Sequence, residues 1–145
     1  INTAAVRDPQ LIASCAREFG VQAVVLSCDA KGGEVMVRSG KETAPLDVIA
    51  WCRRAEELGA GEILLTSVDR DGTNRGFDLD LLRAVTANVR ISVIASGGAG
   101  ALEDFRDAVE TGGARAVLAA SLFHDQRISI GEVKSFLNSE GIPVR

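Results

Sequence analysis

Hydrophobic positions along the chain fall into two alternating kinds of segment. The first kind is amphipathic with a helical period and carries end signals. "RDPQLIASCAREFG" predicts a helix over 8–19, with Asp8 as N-cap, Pro9 at the first helical position and Gly20 as terminator. "LDVIAWCRRAEELG" (46–59) ends at Gly59, and "FDLDLLRAVTANV" (77–89) has Asp78 as its cap. "ALEDFRDAVETGG" (101–113) ends in a glycine pair. "SIGEVKSFLNSEG" (129–141) opens with Ser129 and Glu132 at capping-box spacing. The second kind is short and continuously apolar: "QAVVLSC" (22–28), "EILLTSV" (62–68), "ISVIAS" (91–96) and "RAVLAAS" (115–121). Such runs predict parallel strands buried on both faces.

Strand followed by helix, four times over, gives βα units with right-handed crossovers. "GAGEILLTS" (59–67) and "GARAVLAAS" (113–121) share Gly-Ala at the start, Leu at the sixth place and Ser at the ninth. Two architectures accommodate such units: an open doubly wound sheet, or part of a (β/α)8 barrel. A full barrel takes about 250 residues, so 145 residues correspond to half of one. The expectation is a single α/β domain over 1–145, a half TIM barrel of four parallel βα units preceded by one extra helix. That helix, with no strand before it, places the start just past the end of a strand. The chain opens at Ile1 and its one methionine is Met36, so a longer reading frame is expected.

Composition removes several classes of function. Net charge is −4 with no Lys/Arg cluster, and Tyr is absent, which speaks against nucleic-acid binding. No apolar run reaches the roughly 18 residues of a membrane span. Cys15, Cys28 and Cys52 are scattered without a C-x-x-C spacing, and His124 is the single histidine. Neither pattern makes a metal site, and the cysteine usage is that of a reduced, cytoplasmic compartment.

In parallel α/β folds the chemistry sits at the carboxyl ends of the strands. There the chain offers Asp29; Asp69, Arg70, Asp71, Gly72 and Thr73; Ser96, Gly97 and Gly98; and Ala120 and Ser121, with His124 beyond. "SGGAG" (96–100) leads into a helix, so its amides and the helix N-terminus suit an anion. With Ala120-Ser121 in the next loop, this reads as a phosphate site. Asp29 follows an apolar strand; it is either a carboxyl whose pKa burial raises for proton donation, or a loop cap. Asp71-Gly-Thr reads as a hydrogen-bonded turn, and Asp69 and Arg70 as a mutual pair. His124 fills or caps the last loop, and Glu62 starts its strand at the opposite end. No Lys ends a strand as a Schiff-base aldolase requires; Lys31 lies just past Asp29 in the loop.

"INTAAVRDP", "GAGEILLTSVDRDGT", "VIASGGAG" and "LAASLFH" through "GEVKSFLNSEGIPVR" together resemble HisF, the cyclase subunit of imidazole glycerol phosphate synthase in histidine biosynthesis. The resemblance spans the chain and covers that family's C-terminal half plus the helix before it. It implies a barrel lyase that takes a substrate with a phosphate at each end and ammonia delivered by the glutaminase HisH. The products would be imidazole glycerol phosphate and aminoimidazole carboxamide ribotide; no cofactor is implied. Asp29 matches the general acid. Gly97, Gly98, Ala120 and Ser121 match one phosphate site, and Asn2 and Thr3 part of the other. Thr66, Asp71 and Ser96 match substrate-lining positions, and Glu62 a member of the charged ring that gates ammonia.

The departures are specific. The family's general base lies on a first strand that this sequence does not contain. The loop after Asp29, "AKGGEVMVRSGKETAP", is shorter than usual, and Glu42, Ala44 and Pro45 replace its usual Lys-x-Thr-Gly ending. A four-stranded piece of barrel exposes two edges and its inner face, which predicts a two-fold homodimer. In such a dimer the helix at 129–140 competes for the groove of the helix at 8–19. Two readings follow: part of a cyclase without turnover by itself, or a self-associating scaffold that binds phosphate.

Overall fold

The computed structural model describes residues 1–145. The chain runs through α1 (Thr3–Arg7), α2 (Gln10–Phe19), β1 (Val25–Lys31), β2 (Glu34–Val37), β3 (Glu42–Asp47), α3 (Val48–Glu57) and β4 (Glu62–Ser67). It continues through α4 (Leu79–Thr86), β5 (Ser92–Ser96), α5 (Leu102–Glu110), β6 (Ala116–Leu118), α6 (Ser121–His124) and α7 (Ile130–Ser139). One six-stranded sheet has the order β3-β2-β1-β4-β5-β6. Its four parallel strands lie in sequence order, with no reversal. A doubly wound sheet reverses at a switch point. The fold is therefore part of a (β/α)8 barrel.

Burial alternates along these strands, contrary to the expectation that both faces are covered. Leu26, Cys28 and Ala30 of β1, Ile63, Leu65 and Ser67 of β4, and Val93 and Ala95 of β5 are buried; the residues between them are half-buried. The buried face carries the helices, which contribute Ile12, Trp51, Val85, Phe105, Val133 and Leu137 to one core. Phe105 sits edge-on to Phe77 at 5.9 Å between centroids. The other face corresponds to the barrel interior. There the register aligns Val25 with Glu62 and Ser92, then Ser27 with Leu64, Ile94 and Ala116, then Asp29 with Thr66, Ser96 and Leu118.

The helix starts follow from local hydrogen bonds. Asp47 and Asp78 accept from the amides of Ala50 and Leu81 at 2.8 and 3.1 Å, and Ser129 and Glu132 complete a reciprocal box. Asp8 accepts from Gln10 N at 3.1 Å, and α2 is helical in backbone from Pro9.

Two expectations are corrected. Residues 21–23 form a 3₁₀ turn, so β1 begins at Val25 and runs beyond Asp29 to Lys31. The segment after Asp29 is a β-hairpin, not a loop. Lys31 pairs with Glu34 across Gly32-Gly33, whose φ values of 56° and 84° are those of a type I′ turn. Glu42, Ala44 and Pro45 lie in β3, with Ala44 buried. The hairpin holds one edge of β1 at its C-terminal end. Further down the same strand, Ile1 donates to Val25 O at 2.7 Å and accepts from Ser27 N at 2.9 Å, as a parallel strand residue would.

Candidate functional site

Three strands present their inner-face residues in one row near their carboxyl ends. Asp29 on β1 pairs with Thr66 on β4, and Thr66 with Ser96 on β5. The side chains share a face because each is flanked by residues directed into the helical core. Burial pushes the Asp29 carboxyl above the ordinary carboxylate range, a hydrogen bond from Asn2 opposes this, and the charge of Asp71 adds to it. Such a carboxyl keeps its proton to higher pH than an exposed Asp, as a proton donor requires.

Beside this row lies a cavity of about 280 Å³ lined by Asp71, Gly72, Asn74, Ser96–Ala99 and Leu118–Ser121. The backbone N–H groups of Gly97, Gly98, Ala99, Ala119, Ala120 and Ser121 donate to no group of the chain. They border a space that an anion of phosphate size fits, where unpaired amides are favourable partners. Gly97 and Gly98 have φ of 90° and 109°, and a Cβ on Gly98 would run into Gly76 O. Gly76 N donates to Gly98 O at 2.8 Å, which ties the loop after β4 to the loop after β5. The start of α5 takes a smaller part than the sequence suggested. Asp104 accepts from Gly100 N and Ala101 N, both at 2.8 Å, so those two amides are already occupied.

Of the residues proposed from sequence, Asp71, Ser96, Gly97, Gly98, Ala120 and Ser121 meet around this cavity, with Asp29 and Thr66 in the adjoining row. Asn2 and Thr3 lie apart from it. Asn2 Nδ2 donates to Asp29 Oδ2 at 3.1 Å, and Thr3 Oγ1 accepts from Arg38 N at 2.9 Å. Glu62 stands in the row at the opposite end of the sheet. Asp69 is not paired with Arg70: its carboxylate accepts from Gly32 N at 2.9 Å, while Arg70 reaches Arg75 O at 3.3 Å. His124 ends α6 and Lys31 ends β1, neither lining the cavity. Sequence reading missed Asn74, Ala99, Leu118 and Ala119 as lining residues; their one signal is nearness to the glycine and serine positions of the two loops.

A family model described as histidine biosynthesis protein matches residues 1–129. The chain belongs to that family. Among its curated relatives, the imidazole glycerol phosphate synthase subunit HisF of Pyrobaculum aerophilum is 56% identical over 149 residues, covering all of this chain and 58% of that protein. The HisF subunit of Dehalococcoides mccartyi (strain ATCC BAA-2266 / KCTC 15142 / 195) is 53% identical, with 59% of its length covered. That of Alkaliphilus metalliredigens is 51% identical, with 60% covered. The chain thus spans about three fifths of the length of these members of the histidine biosynthesis family.

Proposed function

We propose that this chain supplies the general acid and one phosphate site of an imidazole glycerol phosphate synthase cyclase. One observation carries the reading: Asp29, Thr66 and Ser96 share a register row beside the cavity with the unpaired amides. In this reading one end of the bis-phosphorylated substrate is anchored by the amides of Gly97, Gly98, Ala120 and Ser121. The remainder lies across Thr66, Asp71 and Ser96, which brings the reacting atoms to Asp29. Asp29 donates a proton as ammonia adds and the chain of the substrate closes and splits. Ammonia from a HisH glutaminase enters from the end of the sheet that carries Glu62.

Asn2 and Thr3 contribute to the second phosphate site, Thr3 with a hydroxyl hydrogen that accepting from Arg38 N leaves free to donate. The family's first-strand base has no counterpart in this sequence, so turnover by the chain alone is expected to be negligible. A cyclase assay with the bis-phosphorylated ribotide substrate and ammonia tests this. Activity above an Asp29→Asn control in the isolated chain would contradict it. Activity that appears only on adding the complementary barrel strands, and vanishes with Asp29→Asn, is the expected result.

The second reading is a homodimeric scaffold that binds phosphate without turnover. It is favoured by the half-exposed inner face, where Val25, Leu64 and Ile94 lie, and by Leu118, 43% exposed on the edge strand β6. Light scattering across a concentration series, with and without phosphate, separates a dimer from a monomer.

A further inference from the structure

Asn2 stands where its side chain has one partner and no alternative. Its Nδ2 donates to Asp29 Oδ2 at 3.1 Å, and its Oδ1 is buried without any hydrogen-bond partner. The backbone around it is fixed independently of that amide. Asn2 O accepts from Ala5 N and Val6 N at 2.8 and 3.2 Å, and the neighbouring Ile1 and Thr3 are bonded to β1 and to Arg38. The carboxamide therefore faces Asp29 whichever way it is turned, and in either orientation one of its polar atoms lacks a partner. Nothing but Asp29 selects between the two orientations. An ionised Asp29 accepts only, so it selects Nδ2; a protonated Asp29 can donate, and then selects Oδ1.

The charges around Asp29 leave that selection to the proton. Asp71, on the loop after β4, acts on Asp29 directly. From β2 the register partner is Met36, with Glu34 opposite Lys31 two residues on; from β4 it is Thr66. The Ile1 ammonium is held at Val25 O, and the Cys28 thiol lies on the buried face beside Cys52. No cation is hydrogen-bonded to the Asp29 carboxylate, whose one side-chain donor is Asn2.

We propose that Asn2 is a positioning residue for Asp29, its carboxamide turning over with the proton on Asp29 and holding the carboxyl to the inner face in both states. This rests on the reading of Asp29 as general acid. For such an acid the device has a direct use, because the carboxyl keeps one orientation before and after it gives up its proton. An amide that only donated would favour the ionised form alone.

The test needs no substrate, so it stands apart from any cyclase assay. The chain labelled with ¹³C at Asp carboxyls and ¹⁵N at Asn side chains is titrated by NMR, Asp29→Asn assigning the Asp29 signal. The Asn2 NH₂ signals are expected to shift with the same midpoint as the Asp29 carboxyl. In Asn2→Leu, similar in volume and without hydrogen-bonding atoms, both states of Asp29 lose their partner, so the Asp29 midpoint is expected to rise by well under the roughly tenfold in proton affinity that losing a charge-assisted bond to the ionised form alone would give. In Asn2→Asp the two carboxyls are expected to titrate in two separated steps as a coupled pair. Asn2 signals that stay flat across the Asp29 titration would overturn the proposal, as would a rise of about tenfold or more in Asn2→Leu, the mark of an amide that serves the ionised form alone. Should Asn2→Leu not fold, the Asn2 signals of the parent chain decide.

Discussion

Ser67 Oγ donates to Asp78 Oδ2 at 2.9 Å, across eleven residues of chain, and joins the end of β4 to the start of α4. Asp78 Oδ1 meanwhile accepts from Leu81 N, so one carboxylate caps a helix and satisfies a hydroxyl in a residue only 2% exposed. Replacing Asp78 by Ala is expected to cost about 2–4 kcal/mol, from a lost cap and a buried hydroxyl left unpaired. Ser67→Ala should cost less, about 1 kcal/mol, because the carboxylate keeps its cap. Urea unfolding of both single variants and the double variant gives the coupling; strict additivity would deny the shared role.

Gly98 has no room for a side chain. Its φ is 109°, and an added Cβ meets Gly76 O and Arg70 Cβ. Gly98→Ala is expected to destabilise by about 2 kcal/mol or more and to weaken phosphate binding measured calorimetrically. Gly72 lines the same cavity at φ 72°, with open space where its Cβ would stand. Gly72→Ala therefore carries the backbone cost alone, about 1 kcal/mol, and should keep more of the binding.

Asp29 sets a pH dependence of known sign. Its carboxyl is raised by burial, so the folded chain binds a proton more tightly than the unfolded one. Its contribution to stability is full below the ordinary carboxyl pKa and lost as pH rises through the raised folded value. Asp29→Asn is expected to unfold at a higher temperature than the parent at pH 7, with the gap closing in acid. A gap that widens in acid would reverse the assignment.

Glu132 behaves oppositely. Its bonds with the backbone and hydroxyl of Ser129 hold its carboxyl below the usual range. The stability it contributes is present above the ordinary Glu value and falls away as pH drops through the depressed one. Glu132→Gln should flatten that acid limb in thermal melts and leave the neutral region nearly unchanged.

The three cysteines should separate by accessibility. Cys28 and Cys52 are buried, and the thiol of Cys28 is raised by its hydrogen bond with Cys52 and by burial; Cys15 is half-buried. Cys15 is expected to react with a thiol reagent in the native chain, and the other two only on unfolding. Equal rates for all three would show that α3 opens freely from the sheet.

What the sequence disclosed was mostly what local bonds determine. Asp78 as a cap, the Ser129–Glu132 box and the order of strands and helices need only near neighbours along the chain. The hairpin was a different matter. Lys31-Gly-Gly-Glu34 is a two-residue turn signal in plain view, but residues 34–47 do not read as apolar alternation, and their pairing depends on the free edge of β1. The two-sided burial expected of the strands also failed, because an apolar run states that a strand is covered and not how many faces are. At the site, strand-end glycines and Asp29 were legible as types. The engagement of Asn2 with Asp29 joins residues 27 positions apart and left no trace in spacing.

The bond between Gly76 and Gly98, together with the seating of Gly100 against Asn74, fastens the loops after β4 and β5 to each other. An anion entering between Gly98 and Ala120 meets a surface on its β5 side whose shape is settled before arrival. In the proposed phosphate-binding reading, capture on that side is expected to need no loop closure and to follow diffusion and the shedding of water.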